Sequence, residues 1–238
     1  MSDKGFYIYE IIHTLAGEIK LLDAHVERLN TAASKIFGLH NHFTCNQLAE
    51  QIEALLREKR APLGVSVHIR VELYESGEPS LRIEEISIYR GYSLRCVEPS
   101  ATIIPMEIVY MEHSTSASEH ISHLERITAN QLGADIALRC NSHAEIISAN
   151  NYPILGVKGG NIYTSMTGVR SAEMQMLLSI ASNYFKIFNH NINNSELSSY
   201  DELLYIDHHG VTSIKRIGNR IYMNAVATAL AKLIATHS

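Results

Sequence analysis

The clearest regularity in the chain is a strict alternation of hydrophobic and polar residues from Val65 to Leu73. Alternation with a period of two predicts a strand that buries one of its faces. Shorter alternating runs occupy residues 6–12, 18–22 and 81–88, and turn-forming residues join the neighbouring runs. This pattern predicts two hairpins, one at the start of the chain and one around residue 77.

Hydrophobic residues at helical spacing fill the interval between the two hairpins. We expect Asp23 to cap a first helix that ends at Gly38, and Thr44 or Asn46 to begin a second helix. Residues 1–90 are therefore predicted to form an α+β lobe.

After a predicted connector at residues 91–99, residues 100–238 alternate between strand-like and helix-like segments and are predicted to form a second, larger lobe. Its predicted elements are a strand at 101–109, a helix marked by Ile121, Leu124, Ile127 and Leu132, strands at 134–140 and within 145–164, a helix that opens near Gly168, strands at 203–206 and 211–214, and an alanine-rich helix at 222–234. The turn between the last two strands contains His208 and His209, which we expect to be exposed.

The chain has 238 residues, of which 46% are hydrophobic and 19% charged, and this composition is typical of a globular protein with a sizeable core. Its net charge of -5 is spread along the chain, so no nucleic-acid partner is expected. No apolar run is long enough to span a membrane, and the first residues lack the apolar core of a signal peptide, so we expect a cytoplasmic protein. Cys45, Cys96 and Cys140 are widely spaced and form no CxxC motif, which suits reduced thiols.

A polar segment at residues 113–123 contains three histidines. His120 and His123 are one helical turn apart, but their spacing is not that of a zinc motif and no fourth ligand is indicated, so no metal site is predicted. Either histidine could act as a general base if a substrate binds nearby. The sequence contains no Walker loop and no G-x-G-x-x-G loop.

Six short segments share a characteristic order and spacing. They are Tyr9-Glu10-Ile11-Ile12, Asp23-Ala24-His25-Val26-Glu27-Arg28-Leu29, Ala134-Asp135-Ile136-Ala137-Leu138, Val157-Lys158-Gly159-Gly160-Asn161-Ile162-Tyr163-Thr164, Gly168-Val169-Arg170 and Asp201-Glu202-Leu203-Leu204. Together they resemble the class IV aminotransferases, the fold-type IV pyridoxal phosphate enzymes that include branched-chain aminotransferases, D-amino acid aminotransferases and aminodeoxychorismate lyases. The resemblance covers nearly the whole chain.

The resemblance implies a two-lobed α/β fold, with a small N-terminal α+β lobe and a larger C-terminal lobe built on a mixed sheet or barrel. It also implies a pyridoxal phosphate cofactor, a cleft between the lobes and a homodimer. Arg28 matches the family's phosphate-binding arginine, and Gly168, Val169 and Arg170 match a phosphate site at the mouth of a helix. Two alternatives stay open, namely a helix-surface arginine in a salt bridge for Arg28 and a simple turn for Gly168.

The family forms its Schiff base with a lysine, yet no lysine occurs between Lys59 and Lys158. Thr115 falls at the lysine position in an ungapped alignment, and Ser122 falls there if the following helix is shorter. Ser148 falls where the family has a glutamate that pairs with the pyridine nitrogen, and a hydroxyl cannot keep that ring protonated.

Three functional hypotheses follow from these losses. In the first, the protein is catalytically degenerate and binds a small phosphate- or carboxylate-bearing ligand in the interlobe cleft. In the second, it is an active pyridoxal phosphate-dependent aminotransferase or aminodeoxychorismate lyase with an unorthodox base, for which His120 and His123 are the candidates. In the third, it is a structural or interacting homodimer. The missing lysine favours the first hypothesis.

Overall fold

The computed structural model of the chain describes residues 5–40, 42–108 and 112–237. These residues belong to two compact units. The first unit contains the residues up to Gly91 and the segment His113–Ala117, and the second contains Tyr92–Glu112 and the residues from Ser118 onwards. The predicted fold class is confirmed, because a small α+β unit is followed by a larger unit built on mixed sheets. No helix among the described residues is both long and apolar enough to cross a membrane.

The first unit is a four-stranded antiparallel sheet packed against two helices. The strand order is β2-β1-β3-β4. Its elements are β1 (Tyr7–Leu15), β2 (Glu18–Ile19), α1 (Leu22–Phe37), α2 (Cys45–Glu58), β3 (Val67–Tyr74) and β4 (Pro79–Ile86). Both predicted hairpins are present, and the alternating residues Ile69, Val71 and Leu73 lie in one hydrophobic core with Leu29 and Leu48 of the helices.

The sequence signals at Gly38 and Thr44 correctly predict two helix ends, and the signal at Asp23 does not. Gly38 ends α1 in a left-handed conformation with φ 73°. Thr44 caps α2 in a reciprocal capping box with Gln47. The prediction that Asp23 caps α1 is wrong, because α1 begins one residue earlier, after Leu21 in a left-handed conformation. The Asp23 carboxylate instead accepts a hydrogen bond from the Cys45 thiol, with 2.9 Å between Oδ1 and Sγ.

The second unit contains a six-stranded sheet of order β11-β10-β9-β12-β13-β5 and a five-stranded sheet of order β15-β14-β6-β7-β8. Both sheets mix parallel and antiparallel pairs. The strands are β5 (Ser93–Leu94), β6 (Ser100–Pro105), β7 (Ile136–Cys140), β8 (Ile146–Ala149), β9 (Ile154–Lys158), β10 (Asn161–Thr164), β11 (Ile187–Asn189), β12 (Glu202–Asp207), β13 (Gly210–Ser213), β14 (Arg216–Ile217) and β15 (Arg220–Ile221). The other helices among the described residues are α3 (Ser116–Gln131), α4 (Ala172–Ala181), α5 (Ala225–His237) and one 3₁₀ helix (Asn194–Ser199).

Two strand predictions differ from the structure. The strand predicted at 101–109 ends at Pro105, and Val109 lies outside the described residues. The segment predicted as a connector, 91–99, contains β5, which extends the six-stranded sheet by pairing in parallel with β13.

The orientation of α3 is opposite to the one that its hydrophobic pattern predicts. Leu124 is 57% exposed and Ile127 is 42% exposed, whereas Glu125 and Ala129 are buried. The reason is a buried ion pair that spacing alone does not reveal. Two nitrogens of the Arg139 guanidinium on β7 each lie 2.6 Å from an oxygen of the Glu125 carboxylate, so the helix presents its glutamate to the interior.

Candidate functional site

In the first unit, Arg28 belongs to a buried charge cluster. His25 and Arg28 are three residues apart on α1 and therefore share one face of the helix. Both contact Glu10 of β1, with 2.9 Å from Arg28 Nε to Oε1 and 2.9 Å from His25 Nδ1 to Oε2. Burial alone would raise the pKa of the Glu10 carboxyl, but Arg28 and His25 outweigh this effect and hold the pKa below its usual value.

The bond from Nε to Glu10 fixes the orientation of the Arg28 guanidinium. Its two terminal nitrogens make no hydrogen bond within the described residues. A guanidinium in this state can still bind an oxyanion through both terminal nitrogens. The salt-bridge alternative for Arg28 and the anion-binding prediction are thus compatible, because the two use different nitrogens.

The segment that the resemblance aligns with the lysine packs against β1. Thr115 forms an antiparallel bridge with Ile8, and the Tyr9 amide donates to the Ser114 carbonyl at 2.9 Å. Thr115 is buried, whereas the alternative position, Ser122, is partly exposed on α3. No lysine within the described residues is buried, and these lysines are Lys20, Lys35, Lys59, Lys158, Lys186, Lys215 and Lys232.

Ser148 lies in the interior of the second unit, on β8. Its side chain is fully buried, and its hydroxyl has no hydrogen-bond partner among the described residues. The cross-strand neighbour is Arg139, whose guanidinium is already bound by Glu125 and donates to Asn151 at 3.1 Å. A buried hydroxyl without a partner costs about 1–3 kcal/mol relative to a satisfied one.

The segment Gly168-Val169-Arg170 precedes a helix but does not open it. Helix α4 begins at Ala172, and Ser171 caps it by accepting a hydrogen bond from the Met174 amide at 3.1 Å. The prediction of a helix that opens near Gly168 is therefore wrong by four residues. The backbone at Val169 instead donates to the Ile147 carbonyl at 2.9 Å, which holds the segment against β8.

Close backbone contact explains the glycine at position 168. A Cβ atom there would lie 2.7 Å from the Ile147 carbonyl oxygen, which is closer than a carbon and an oxygen atom can pack. Arg170 donates from its guanidinium to the Met166 carbonyl at 3.3 Å. The backbone amide of Val169, which could otherwise donate to a phosphate, already donates to the Ile147 carbonyl.

The loop before Gly168 is anchored by Glu145, a residue that the sequence patterns do not single out. The Glu145 carboxylate accepts hydrogen bonds from Asn191 at 2.7 Å, Asn141 at 2.9 Å and Thr167 at 3.3 Å. The bonds from Asn141 and Asn191 lower the pKa of the Glu145 carboxyl, against a smaller opposing effect of burial. Glu145, which directly precedes β8, therefore anchors the loop that leads to Gly168.

A cavity of about 270 Å³ lies beside this loop, entirely within the second unit. Its apolar wall includes Ile147 and Pro153, and its polar rim includes Arg170, Gln175 and Asn189. The predicted residues Gly168 and Val169 also line the cavity. An apolar wall with a few polar groups is the usual composition of a small-molecule pocket, although this cavity is at the small end of the range.

The histidines of the sequence analysis occupy two different environments. His120 and His123 are exposed on α3, and His123 Nδ1 lies 2.9 Å from Arg126. The prediction that His208 and His209 are exposed is wrong, since both are buried. β5 covers this turn: the Ser93 amide donates to the His209 carbonyl at 3.1 Å, and a Cβ on Gly210 would lie 2.1 Å from the Ser93 oxygen.

Asp207 holds the buried turn in place. Its Oδ1 atom accepts from the His209 amide at 2.8 Å and lies 3.3 Å from the His209 ring. Burial alone would raise the pKa of the Asp207 carboxyl, but the hydrogen bonds from His209 and the proximity of His208 lower it to below its usual value.

The sequence of the chain matches a known protein family. A sequence profile of the family described as amino-transferase class IV matches residues 7–217. The chain belongs to the class IV aminotransferase family. No protein of curated function matches it.

Three solved structures are similar to this chain in fold. A putative 4-amino-4-deoxychorismate lyase from Legionella pneumophila subsp. pneumophila matches with a TM-score of 0.81 at 12% identity, over 98% of this chain and 91% of that one. An aminotransferase from Brucella abortus, described as bound to the co-factor PLP, matches with a TM-score of 0.80 at 17% identity, over 97% and 88% of the two chains. A branched-chain aminotransferase from Thermoproteus uzoniensis matches with a TM-score of 0.78 at 20% identity, over 99% and 85%.

Proposed function

We propose that this class IV aminotransferase homologue no longer forms a Schiff base and instead binds a small phosphate- or carboxylate-bearing molecule non-covalently. The observation that carries the proposal is Thr115. The position that the resemblance assigns to the lysine in an ungapped alignment is a buried threonine, bridged to Ile8 in the first unit. A threonine hydroxyl cannot form an imine with an aldehyde.

The other residues do not fit covalently held pyridoxal phosphate either. Ser148 offers a neutral hydroxyl where a carboxylate would keep the pyridine nitrogen protonated. The Val169 amide, a candidate phosphate donor, is occupied by the Ile147 carbonyl. Burial is one way in which proteins activate a lysine for Schiff-base formation, and none of the lysines among the described residues is buried.

An anion-binding function is supported by Arg28. Its guanidinium is nearly buried and held by Glu10, and its terminal nitrogens remain available within the described residues. A fixed arginine fork favours phosphate and carboxylate groups over neutral ligands. We propose that Arg28 is the main contact for the anionic group of the ligand.

The test compares pyridoxal phosphate with pyridoxamine phosphate, which carries the same phosphate and ring but has no aldehyde. We expect similar dissociation constants for the two by calorimetry, because only the aldehyde gains affinity from a lysine. Treatment with borohydride should leave no stoichiometric adduct on any single lysine, beyond the partial labelling that exposed lysines show with any aldehyde. A stoichiometric pyridoxyl adduct on one lysine, or transamination of an added amino acid, would refute the proposal, and Lys158→Ala and Lys215→Ala would then show whether either of these surface lysines carries it.

The role of Arg28 is tested in the same titration. Arg28→Ala should weaken both ligands by about 10- to 100-fold, the value of one or two charge-assisted hydrogen bonds. Arg28→Lys keeps the charge beside Glu10 but removes the fork, so it should fold and still bind less tightly. Arg126→Ala removes an exposed arginine of α3 and is the matched control. Unchanged affinity in both Arg28 variants would exclude Arg28 from the site.

The expected homodimer has a candidate surface on the second unit. Leu124 and Ile127 expose hydrophobic side chains on one face of α3, and Leu132 just after its end is 64% exposed. A two-fold axis would allow this face to cover its own copy. We propose that it does, and sedimentation should show that Leu124→Asp shifts the protein toward the monomer. A wild-type protein that is monomeric at all concentrations would refute this proposal.

A further inference from the structure

A second cavity, of about 230 Å³, lies entirely within the first unit. It is bounded by the turn between β1 and β2, the end of α2 and the segment that leads into β3. Its walls are mainly apolar and include Leu15, Leu56, Pro62, Leu63 and Val65. None of the residues of the Arg28 cluster lines it, so the cavity is separate from the site proposed above.

The charged groups of the cavity are all of one sign. Arg57 and Arg60 line it, and no acidic residue does. Arg57 has an exposed partner, Glu53, at 3.4 Å. The Arg60 guanidinium makes no hydrogen bond or ion pair within the described residues. The hydroxyl of Thr14, the other polar side chain of the lining, is used by a hydrogen bond to the Val67 carbonyl at 2.9 Å.

Arg60 also has a backbone conformation that is unusual for a residue with a Cβ atom. Arg60 follows the C-cap of α2 in a left-handed conformation with φ 51°. Its amide donates to the Arg57 carbonyl at 3.2 Å, and the Ala61 amide donates to the Leu56 carbonyl at 2.9 Å. This closing geometry favours glycine, because a side chain with a Cβ is strained there.

Elsewhere the same chain uses glycine for this purpose. Gly38 ends α1 with φ 73°, and Gly133 follows α3 with φ 74°. At the end of α2 the chain instead has an arginine that makes no ion pair with the described residues and lies at an apolar cavity. Left-handed strain at a residue other than glycine is compatible with a role for the side chain.

We propose that the cavity is a binding site for a small apolar monocarboxylate, with the hydrophobic body between Leu56 and Val65 and the carboxylate on Arg60. An engineered cavity of about 150 Å³ in another protein holds one benzene ring, so roughly 230 Å³ suits one ring, or a branched chain of similar size, with its carboxylate at the rim. The absence of an acidic residue from the lining disfavours amines.

The test uses the full chain and phenylacetate as the probe, with phenylacetamide as its uncharged counterpart. Phenylacetate should bind in a saturable manner by NMR titration, with shifts confined to the residues around the cavity. Phenylacetamide should bind at least about 10-fold more weakly, since it cannot form the charge-assisted contact with Arg60. Equal affinity for the two probes, or no saturable shift, would overturn the proposal.

Arg60→Gly separates the binding role from the folding role. It removes the guanidinium and relieves the left-handed strain, so it should raise Tm by about 2–4 °C while weakening phenylacetate by about 10- to 100-fold. Arg60→Lys keeps a cation and should retain most of the binding. Arg126→Ala, which removes an exposed arginine of α3 that belongs to neither site, is the control and should leave phenylacetate binding unchanged. Tight binding to Arg60→Gly, or loss of binding in Arg126→Ala, would refute the assignment.

Discussion

The ion pair between Glu125 and Arg139 predicts a large and strongly coupled effect on stability. Arg139 is completely buried and Glu125 is 2% exposed. Two nitrogen–oxygen contacts of 2.6 Å join them, and a third bond runs from Arg139 to Asn151 at 3.1 Å. Removal of either partner leaves an uncompensated buried charge, which costs about 3–5 kcal/mol. This is about a fifth or more of the 5–15 kcal/mol that typically stabilises a folded protein, as an order of magnitude.

Removal of both charges should cost far less than the sum of the single changes. Buried ion pairs replaced by apolar side chains of similar volume are often neutral. We expect Glu125→Leu and Arg139→Met each to destabilise by about 3–5 kcal/mol. The double variant should lie within roughly 2 kcal/mol of the wild type, with the loss of the bond to Asn151 as the main remaining cost. The coupling energy should therefore be at least about 4 kcal/mol.

Hydrogen exchange of the β7 and α3 amides is the most direct assay, because it reports the opening free energy of the second unit by itself. Urea unfolding followed by circular dichroism gives the free energy of unfolding of the whole chain for the wild type, the two single variants and the double variant. Additive effects of the two single changes, or a cost below about 1 kcal/mol for either, would refute the reasoning. Such a result would mean that the pair is hydrated in solution and that α3 is free to turn its hydrophobic face inward.

Three further predictions concern single positions. Glu202→Ala should destabilise the protein by about 2–4 kcal/mol and speed amide exchange at the start of α5, whereas Glu202→Gln should cost less. The reason is that the buried Glu202 carboxylate accepts hydrogen bonds from the first amides of α5 at 2.8 and 2.9 Å. Gly168→Ala should shift the loop away from the Ile147 carbonyl and lower Tm by several degrees, which a thermal melt would show, and an unchanged melt would contradict the close contact. Because the pKa of Asp207 is lowered in the folded state, its carboxylate stabilises the protein above the unfolded pKa of about 3.9, and this stabilisation is lost as pH falls through the folded pKa. Asp207→Asn should therefore make the urea midpoint fall less steeply below about pH 4. An unaltered decline would show that Asp207 does not contribute to the loss of stability in acid.

Local signals in the sequence predict much of the first unit. The alternation from Val65 to Leu73 and the turn residues identify both hairpins, and Gly38 and Thr44 mark helix ends with their own side chains or backbone freedom. These signals succeed because each turn or capping residue lies within a few residues of the hairpin or helix end that it determines. The sequence predicts the start of α1 at Asp23, but the left-handed backbone of Leu21 sets it. Leucine rarely adopts this conformation, so the residue type gives no signal for it.

Errors in the second unit come from partners that are distant in sequence. Hydrophobic spacing places Leu124 inward, but Glu125 is held inside by an arginine 14 residues further along the chain. His209 looks like an exposed turn residue, but the strand at residues 93–94 pairs beside it and the residue is buried. In the candidate site, the resemblance singles out Arg28, whereas its ion pair with Glu10 and the contact of His25 with the same carboxylate are visible only in three dimensions.

If the protein no longer forms a Schiff base, as proposed above, the hydroxyl of Ser148 connects the replacement of the lysine with the replacement of the carboxylate. A glutamate at this fully buried position would need a cationic partner, and the neighbouring guanidinium of Arg139 is already neutralised by Glu125. Without a protonated ligand ring beside it, such a carboxylate would be an unpaired buried charge that costs several kcal/mol, whereas an unsatisfied hydroxyl costs only about 1–3 kcal/mol. A serine is therefore the expected replacement once the ligand no longer carries the positive charge.

This reasoning predicts opposite outcomes for two substitutions at Ser148. Ser148→Ala removes the unsatisfied hydroxyl and should leave stability unchanged or raise it by up to about 1 kcal/mol. Ser148→Glu should destabilise by at least about 3 kcal/mol, because it adds both volume and charge to a fully buried position. Urea unfolding with and without pyridoxine phosphate, which has no aldehyde, would measure both variants. Destabilisation by Ser148→Ala of more than about 1 kcal/mol would show that the hydroxyl has a partner in solution, and the link between the two losses would then fail.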